Sequence, residues 1–509
     1  MDDRGVLLLR GGLLARDELV RADLRVSGDR ITEIGPDLPV DGADVLDVGG
    51  LVVLPGFVDA HAHGDAAVLD ADAQAALTHQ GVTTVVLGQD GVSFAPSPPG
   101  TGAAQYAERY FAAINGAHPS FRGGTVAQLL DTYDRTTTVH TAYLVPHGTL
   151  RYAVMGAADR PARPDEVAAM VRLLGEGLDD GARGMSTGLE YAPASSADRA
   201  ELAALCAALA ARGRPHVSHM RGYEDRAPAA LAELLDLARE TGVGTHVSHY
   251  HGPADRLGPL VDDALAEGLD LTFDAYPYLR GASILALVAL PDWLPLADAD
   301  RTLALLADPA VVARLPPCDE VWPRVTLAWV PGMAWAEGLS LLEVAARLGM
   351  APAEAALHLL VATNLQVGCV FAQPPTNSDA SLRALLRHPA HCAGSDGIYR
   401  GGHPHPRGWG TFARLLGRHV RELGDWDWPT AAAHLSTTAA RRFGLADRGA
   451  LRVGFRADVA VVDPATVADL ATYEEPRRLA TGVHAVLVDG VPTLRDGRFT
   501  DALPGRPVR

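Results

Sequence analysis

Short strand-like runs alternate with amphipathic helices from residue 51 to about residue 397, and this alternation constrains the fold more than any other feature. Eight runs rich in β-branched and apolar residues are predicted as strands, at 51–60, 82–87, 140–146, 183–188, 214–219, 244–249, 269–276 and 391–395. The segments between several of them repeat apolar residues at helical spacing. Eight strand–helix repeats predict an α/β fold, a parallel sheet closed into a (β/α)8 TIM barrel. The alternative, an open doubly wound sheet, usually carries a glycine fingerprint after its first strand, and this chain has none.

The two ends of the chain have a different sequence pattern. Residues 1–50 and the segments 456–463 and 483–490 are short alternating runs broken by turns. We therefore expect a small β-sandwich built from both chain ends, over residues 1–56 and 447–509, around a barrel over residues 57–446. The connection between strands seven and eight is longer than one helix requires. Its proline-rich part, at about residues 288–350, is predicted to form an inserted subdomain or lid.

Charge and composition narrow the possible partners and chemistry. The chain has 44 basic and 62 acidic residues and a net charge of −18, so electrostatics give no reason to expect nucleic acid or an anionic membrane as a partner. The chain does not open on a signal-peptide pattern, and no apolar run approaches the ~20 residues that span a bilayer, so we expect a cytoplasmic protein. All 44 basic residues are arginine. This excludes a Schiff-base lysine, a P-loop lysine and a carboxylated lysine that bridges two metals.

Histidines and aspartates follow the predicted strand ends, where a barrel places its catalytic groups. The residues concerned are His61 and His63 after strand one, Asp90 after strand two, His219 and His249 after strands five and six, and Asp396 after strand eight. Each of these residues alone could have a structural role, because a His-X-His pair is commonly structural and a Ser-Asp-Gly run is typical of a turn. Together, at five strand ends, they predict a metal site. Imidazole and carboxylate ligands without thiolate suit Zn²⁺ or a neighbouring first-row metal.

The ordered motifs of the chain resemble those of the amidohydrolase superfamily, and within it those of the N-acyl-D-amino-acid deacylases, or D-aminoacylases. The motifs are LPGFVDAHAH at 54–63, GVTTVV at 81–86, GMSTGLEY at 184–191, TFDAYPY at 272–278 and HPHPR at 403–407. This resemblance runs nearly from end to end. It implies a zinc-dependent hydrolase that acts on carbon–nitrogen bonds other than peptide bonds.

The resemblance also implies roles for the candidate ligands. His219 and His249 correspond to the ligands of a tightly held zinc, whereas His61, His63 and Asp396 surround a second, weaker or empty position. Asp396 also matches the general base of the family. The family pattern has a zinc-ligating cysteine where this chain has Asp90 within Gln-Asp-Gly. Because a carboxylate is a competent zinc ligand and can bridge two metals, we expect Asp90 to replace the thiolate.

The residues that correspond to the substrate-binding residues of the family differ from the family pattern at one position. In the family a tyrosine, a serine, an arginine and a lysine hold the α-carboxylate of the substrate. Tyr278, Ser283 and Arg407 match the first three, but His251 stands where the lysine is expected. We expect the charge of His251, and with it substrate affinity, to depend on pH. Tyr191 is expected to line the pocket, and His147 is a candidate hydrogen-bond donor to the scissile carbonyl.

Three functions remain open from the sequence. The first is hydrolysis of N-acyl-D-amino acids, small molecules, by zinc-activated water with Asp396 as general base. The second is action on another carbon–nitrogen bond, such as that of a cyclic amide or a dipeptide, on the same scaffold. A binding protein with a degenerate barrel is the third. It is disfavoured because such a protein should have lost its ligands, and this chain retains them. The oligomeric state is left open.

Overall fold

A computed structural model describes residues 5–316, 318–374 and 376–509. Its centre is a barrel of eight parallel strands, numbered in chain order: β1 (Phe57–Asp59), β2 (Val82–Leu87), β3 (His140–Pro146), β4 (Gly184–Gly188), β5 (His216–His219), β6 (Thr245–Val247), β7 (Leu271–Ala275) and β8 (His391–Ala393). Each strand pairs in parallel with the next, from β1 through β8. The amide of Ala60 donates to the carbonyl of Ala393 over 3.0 Å, and this bond joins the ends of β1 and β8. The expected TIM barrel is confirmed.

Helices follow most barrel strands and pack on its outside. Those up to β7 are Ala71–Thr78, Ala103–Tyr110, Val126–Asp131, His147–Met155, Pro164–Asp179, Arg199–Ala210, Ala227–Thr241 and Ala254–Ala266. Those after β7 are Leu285–Ala289, Ala299–Leu306, Pro309–Val312, Leu341–Leu348, Pro352–Ala362, Asp379–Leu386, Arg407–Arg414, Trp428–Ala432 and Thr438–Arg442, with π-helical stretches at Leu415–Glu422 and Ala433–Thr437. Their ends follow local chemistry. Asp198 caps Arg199–Ala210 by accepting from the Glu201 amide, and Gly242 at φ 72° ends Ala227–Thr241.

Both chain ends contribute to one nine-stranded sheet beside the barrel. Its strands are Val6–Ala15, Leu19–Ser27, Arg30–Gly35, Asp44–Asp47 and Val52–Pro55 from one end, and Val459–Val462, Val483–Val488, Val491–Arg495 and Arg498–Phe499 from the other. The two halves join where Val53 pairs antiparallel with Val461. Leu9, Leu24 and Leu487 share one apolar core under this sheet. Burial of alternate residues from both ends is what ties the chain ends together.

The segment between β7 and β8 forms a separate small unit over the mouth of the barrel. It contains a three-stranded antiparallel sheet of Arg280–Ile284, Gly368–Ala372 and Val325–Trp329. The unit therefore begins directly after β7 and reaches beyond residue 350. Among the described residues no single helix is long and apolar enough to cross a membrane. Only the pair Leu341–Leu348 and Pro352–Ala362, bent by 89°, meets that criterion when its two helices are taken together.

Candidate metal centre

Six side chains from five strand ends meet at the carboxyl-terminal mouth of the barrel. They are the residues predicted as ligands, His61, His63, Asp90, His219, His249 and Asp396, and all six are buried. Two groups of three have their ligand atoms within 4.8 Å of one another, one made of His61, His63 and Asp396 and the other of His61, Asp90 and His249. Because parallel strands end at the same face, residues far apart in the chain converge there.

The spacing of these atoms fits a shared metal ion. Two ligand atoms each ~2.1 Å from one tetrahedral ion lie ~3.4 Å apart. His219 Nδ1 lies 3.0 Å from His249 Nε2, and His63 Nε2 lies 3.2 Å from Asp396 Oδ1. Asp90 Oδ2 lies 3.5 Å from both His63 Nε2 and His219 Nδ1. The donor set and its distances therefore suit a divalent metal such as zinc.

Asp90 lies at the centre of the cluster. Its Oδ2 is 3.6 Å from His249 Nε2, and its Oδ1 is 3.6 Å from His61 Nε2. Oδ1 is buried and has no hydrogen-bond partner in the part of the chain that the structure describes. A buried carboxylate oxygen is costly without a partner, so it is available to a cation. A carboxylate between four imidazoles can serve one ion or bridge two.

The loop that carries Asp90 depends on two glycines, one next to Asp90 in the chain and one that faces it from β4. Asp90 itself has φ 54°, and Gly91 has φ 72°. A Cβ atom on Gly188, at the end of β4, would lie 2.1 Å from the Asp90 carbonyl oxygen. Only a glycine at position 188 lets the loop approach β4 so closely.

Neighbouring side chains fix this loop to β1 and β2. Gln89 donates to the carbonyls of Ala60, over 2.9 Å, and Val86, over 3.0 Å. The carboxylate of Asp65 accepts from the Gly88 amide over 3.1 Å. Asp65 therefore supports the loop of a candidate ligand from behind.

Three of the candidate ligands have unusual backbone conformations. The φ angles are 54° at Asp90, 35° at His249 and 49° at Asp396. Each such residue costs on the order of 1–3 kcal/mol, and the surrounding structure must hold it in place. At Asp396 the backbone amide donates to the His61 carbonyl over 2.7 Å, which fixes the β8 end against the β1 end. Strain of this kind concentrates at functional sites.

Two carboxylates behind the cluster orient its imidazole rings. Asp274 Oδ2, in β7, lies 3.3 Å from His61 Nδ1, and Glu190 Oε2 lies 3.0 Å from His219 Nε2. In each ring the other nitrogen faces the cluster. A carboxylate in this position favours the proton on its own side and leaves the opposite nitrogen free to bind a metal.

The electrostatics of the cluster favour a bound cation. Burial lowers the pKa of His63, but hydrogen bonds with Asp396 and Asp90 outweigh it and raise that pKa to about 10. At His219, Asp90 and Glu190 likewise outweigh burial and raise the pKa to about 9. The carboxylates thus hold protons on the rings, and metal binding would release these protons.

A cavity of about 720 Å³ opens onto the cluster. Of the residues predicted to contact substrate, Tyr191, His251, Ser283 and Arg407 line it. Arg407 is 1% exposed, and its Nη1 lies 2.8 Å from Asp396 Oδ2. Its Nε and Nη2 have no hydrogen-bond partner among the described residues. Arg407 therefore has free donors at the base of the cavity.

The structure does not bring the other two predicted contacts, His147 and Tyr278, to the cavity lining. His147 is buried behind the barrel wall with Nε2 2.7 Å from Glu201 Oε1, and burial lowers its pKa. The hydroxyl of Tyr278 points to Asp469, 3.5 Å away. Tyr276 lines the cavity instead, with its ring under the guanidinium of Arg407 at 4.6 Å.

His251 does not supply the charge of the lysine that it replaces. Its Nδ1 lies 2.7 Å from the His249 carbonyl oxygen, and its ring stacks on Tyr223. Burial lowers its pKa to about 4. Because the ring is then neutral above about pH 5, the expected change of charge near neutral pH does not occur there.

Sequence reasoning missed Glu190, Tyr276 and Asp274. The sequence does contain an indication for Asp274, because an aspartate inside an apolar strand needs a buried partner. Glu190 lies next to Tyr191 in a motif that the sequence analysis singled out, but its partner His219 comes from the next strand. The sequence could not show which of Tyr276 and Tyr278 faces the cavity. Side chains alternate between two faces only within a strand, and β7 ends at Ala275, before both tyrosines.

The barrel and its histidine–aspartate cluster define a class of metal-dependent hydrolases, and comparison with known proteins agrees. The amidohydrolase family model matches residues 44–494, so the chain belongs to the amidohydrolase family. A D-aminoacylase of Alcaligenes xylosoxydans xylosoxydans is 35% identical over 98% of this chain and 96% of its own. An N-acyl-D-glutamate deacylase of the same organism is 36% identical over 94% of this chain and 92% of its own.

Solved structures of these enzymes have the same fold. The N-acyl-D-glutamate deacylase of Bordetella bronchiseptica, complexed with zinc and a phosphonate mimic of the tetrahedral intermediate, superposes with a TM-score of 0.84 at 31% identity over the whole of both chains. A D-aminoacylase with a binuclear metal centre gives a TM-score of 0.82 at 32% identity, covering 99% of this chain and all of its own. The resemblance drawn from the motifs, to the D-aminoacylase branch, is confirmed.

Proposed function

We propose that this protein hydrolyses the amide bond of N-acyl-D-amino acids with the help of one or two zinc ions. One observation carries the proposal: five of the six buried candidate ligands and the free donors of Arg407 line the same cavity. The likeness to D-aminoacylases and N-acyl-D-glutamate deacylase supports the choice of substrate class.

His61, His63, Asp90, His219, His249 and Asp396 would hold the metal. When bound, zinc polarises a carbonyl and lowers the pKa of a water from 15.7 to about 7. Asp396 accepts the proton of the attacking water through Oδ1 and returns it to the leaving amine nitrogen. Arg407 holds Oδ2 of the same carboxylate at 2.8 Å, which orients it and stabilises its charged form.

The remaining donors of Arg407 suit a substrate carboxylate. A guanidinium offers a planar fork that matches two carboxylate oxygens, and Nε and Nη2 are available. Tyr276 supports the guanidinium from one face, and Ser283 lines the cavity nearby. An α-carboxylate held there fixes the amide with respect to the cluster.

The test is metal analysis of the purified protein followed by a substrate screen. We expect one to two equivalents of zinc, release of the free amino acid from N-acetyl-D- but not N-acetyl-L-amino acids, and loss of activity on chelation with recovery on adding zinc. Fully metal-free protein that keeps its activity contradicts the mechanism. Faster hydrolysis of a cyclic amide, or of a dipeptide made of L-residues, than of any N-acyl-D-amino acid favours the second function considered above.

A further inference from the structure

The positive charges of the cavity are already paired. Arg221 bonds Glu233, with Nε 3.0 Å from Oε2, and donates to the Ser195 carbonyl over 2.6 Å. Arg226 lies 2.5 Å from Glu190. Neither arginine has an uncompensated charge for an acidic group of a substrate. Arg407 is the cation proposed for the α-carboxylate, so no further free cation lines the described part of the cavity.

The negative charge of Glu224 is not paired in this way. Its Oε2 accepts from the Thr376 hydroxyl over 2.7 Å. Its Oε1 is buried without a hydrogen-bond partner among the residues that the structure describes, and His251 Nε2 is 3.8 Å away. Within the described chain, no arginine lies within 4.0 Å of this carboxylate. Arg324, which affects it from further away, donates to the Ala372 carbonyl.

The surroundings of Glu224 strengthen its need for a cation. Burial raises the pKa of Glu224, and the neighbouring carboxylate of Asp225 adds to the effect. His251 Nε2, at 3.8 Å from Oε1, is beyond hydrogen-bonding distance of the carboxylate. Asp292, which is exposed, adds another carboxylate to the cavity lining. A partly buried carboxylate with one unpaired, buried oxygen gains from an ammonium or guanidinium group that enters with a ligand.

We propose that Glu224 selects substrates with a positively charged group, so that the preferred substrates are cationic N-acylated D-amino acids. This inference rests on the proposed function and names the substrate class within it. Two sources of the cation have the same chemistry: a basic side chain, as in D-lysine or D-arginine, and an amino group on the acyl part. Glu224 lines the same cavity as the candidate ligands, so a cation on either half of the substrate can approach it. The ring of its neighbour His251 is centred 6.3 Å from that of the candidate ligand His249, and lysine and arginine stems are long and flexible.

The experiment compares kcat/KM for N-acetyl-D-lysine, N-acetyl-D-leucine and N-acetyl-D-glutamate in the zinc-loaded enzyme. Glycyl-D-leucine, with a cationic acyl part, is compared with N-acetyl-D-leucine. We expect a cationic substrate to exceed N-acetyl-D-glutamate by at least about tenfold. In Glu224→Gln, which keeps the shape but removes the charge, the ratio of the cationic substrate to N-acetyl-D-leucine should fall about tenfold, mainly through KM.

Asp225→Asn is the matched control, because Asp225 is on the same loop but 91% exposed and outside the cavity lining. Because the exposed Asp225 acts on Glu224 only through solvent-screened charge, this substitution should change that ratio much less than Glu224→Gln does. Comparing N-acetyl-D-lysine and glycyl-D-leucine with N-acetyl-D-leucine identifies which half of the substrate carries the cation. Preference for N-acetyl-D-glutamate, or a ratio that Glu224→Gln does not change, overturns this inference while the proposed function stands. No turnover of any N-acyl-D-amino acid by the zinc-loaded protein contradicts both.

Discussion

Glu190 Oε2 lies 3.0 Å from His219 Nε2, on the side of the ring away from the candidate metal ligands. The opposite nitrogen, Nδ1, lies 3.0 Å from His249 Nε2. If Glu190 accepts the Nε2 proton, Nδ1 keeps its lone pair for the metal. The Glu190 contact therefore decides which nitrogen of His219 can be a ligand.

Replacing Glu190 should weaken metal binding without removing a ligand. We expect Glu190→Ala to lower zinc affinity about 10- to 100-fold, and Glu190→Gln to have a smaller effect because its amide oxygen still accepts. Competition with a chromophoric chelator measures the affinity. Glu240→Gln, a surface carboxylate paired with Arg199, is the control. Unchanged zinc affinity in Glu190→Ala would leave Glu190 as no more than a partner of Arg226.

Substitutions of Asp90 distinguish a metal ligand from a turn residue. Asp90→Ala should lower zinc content and activity together, and Asp90→Asn should reduce affinity because it loses the charge and the ability to bridge. Asp90→Cys should retain substantial zinc, since a thiolate is also an anionic ligand on a short side chain. Metal titration of the three variants is the measurement. Wild-type affinity in Asp90→Asn would show that the site needs only the other five residues.

Asp396→Asn keeps the shape of the side chain but removes its basicity. We expect kcat to fall by a factor on the order of 10²–10⁴ while His219 and His249 retain tightly bound zinc. Steady-state kinetics with metal analysis of the same sample separates the two effects. A kcat near that of the wild type would reassign Asp396 to holding the β8 end against His61 alone.

His118 should make stability depend on pH away from the metal centre. Burial, with a smaller contribution from Arg122, lowers its pKa to about 4, and its Nδ1 accepts from the Phe121 amide over 2.9 Å. Between the unfolded pKa of ~6.5 and 4 the unfolded chain binds more protons, so stability falls as the pH falls through this range. In His118→Asn, which keeps an acceptor but does not titrate, the loss between pH 7.5 and 5.0 should be smaller by on the order of 1–2 kcal/mol.

Urea unfolding of metal-free protein at the two pH values measures this difference. Removing the metal eliminates the pH dependence of metal binding, and the free ligand histidines contribute equally to the wild type and the variant. His79→Asn serves as the control, because His79 is only partly buried. An equal loss of stability in His118→Asn and the wild type would contradict the prediction.

Much of the candidate site could be predicted because it depends on local pattern. Histidines and aspartates at the ends of apolar runs come together once those runs are parallel strands, and six of them do so here. Tyr278 shows the limit of this reasoning. The alternation of side chains holds only within a strand, and β7 ends at Ala275, so the sequence could not decide between Tyr276 and Tyr278.

The sequence by itself determined the barrel, and it predicted a β-rich unit built from both chain ends and a set of candidate ligands, because strand periodicity and helix ends are properties of neighbouring residues. The tertiary structure alone decided which carboxylates are paired. Glu190 has His219 and Arg226 as partners, whereas Oε1 of Glu224 has no hydrogen-bond partner among the described residues. These partners come from different loops, and their distances depend on how the strands and helices between them pack.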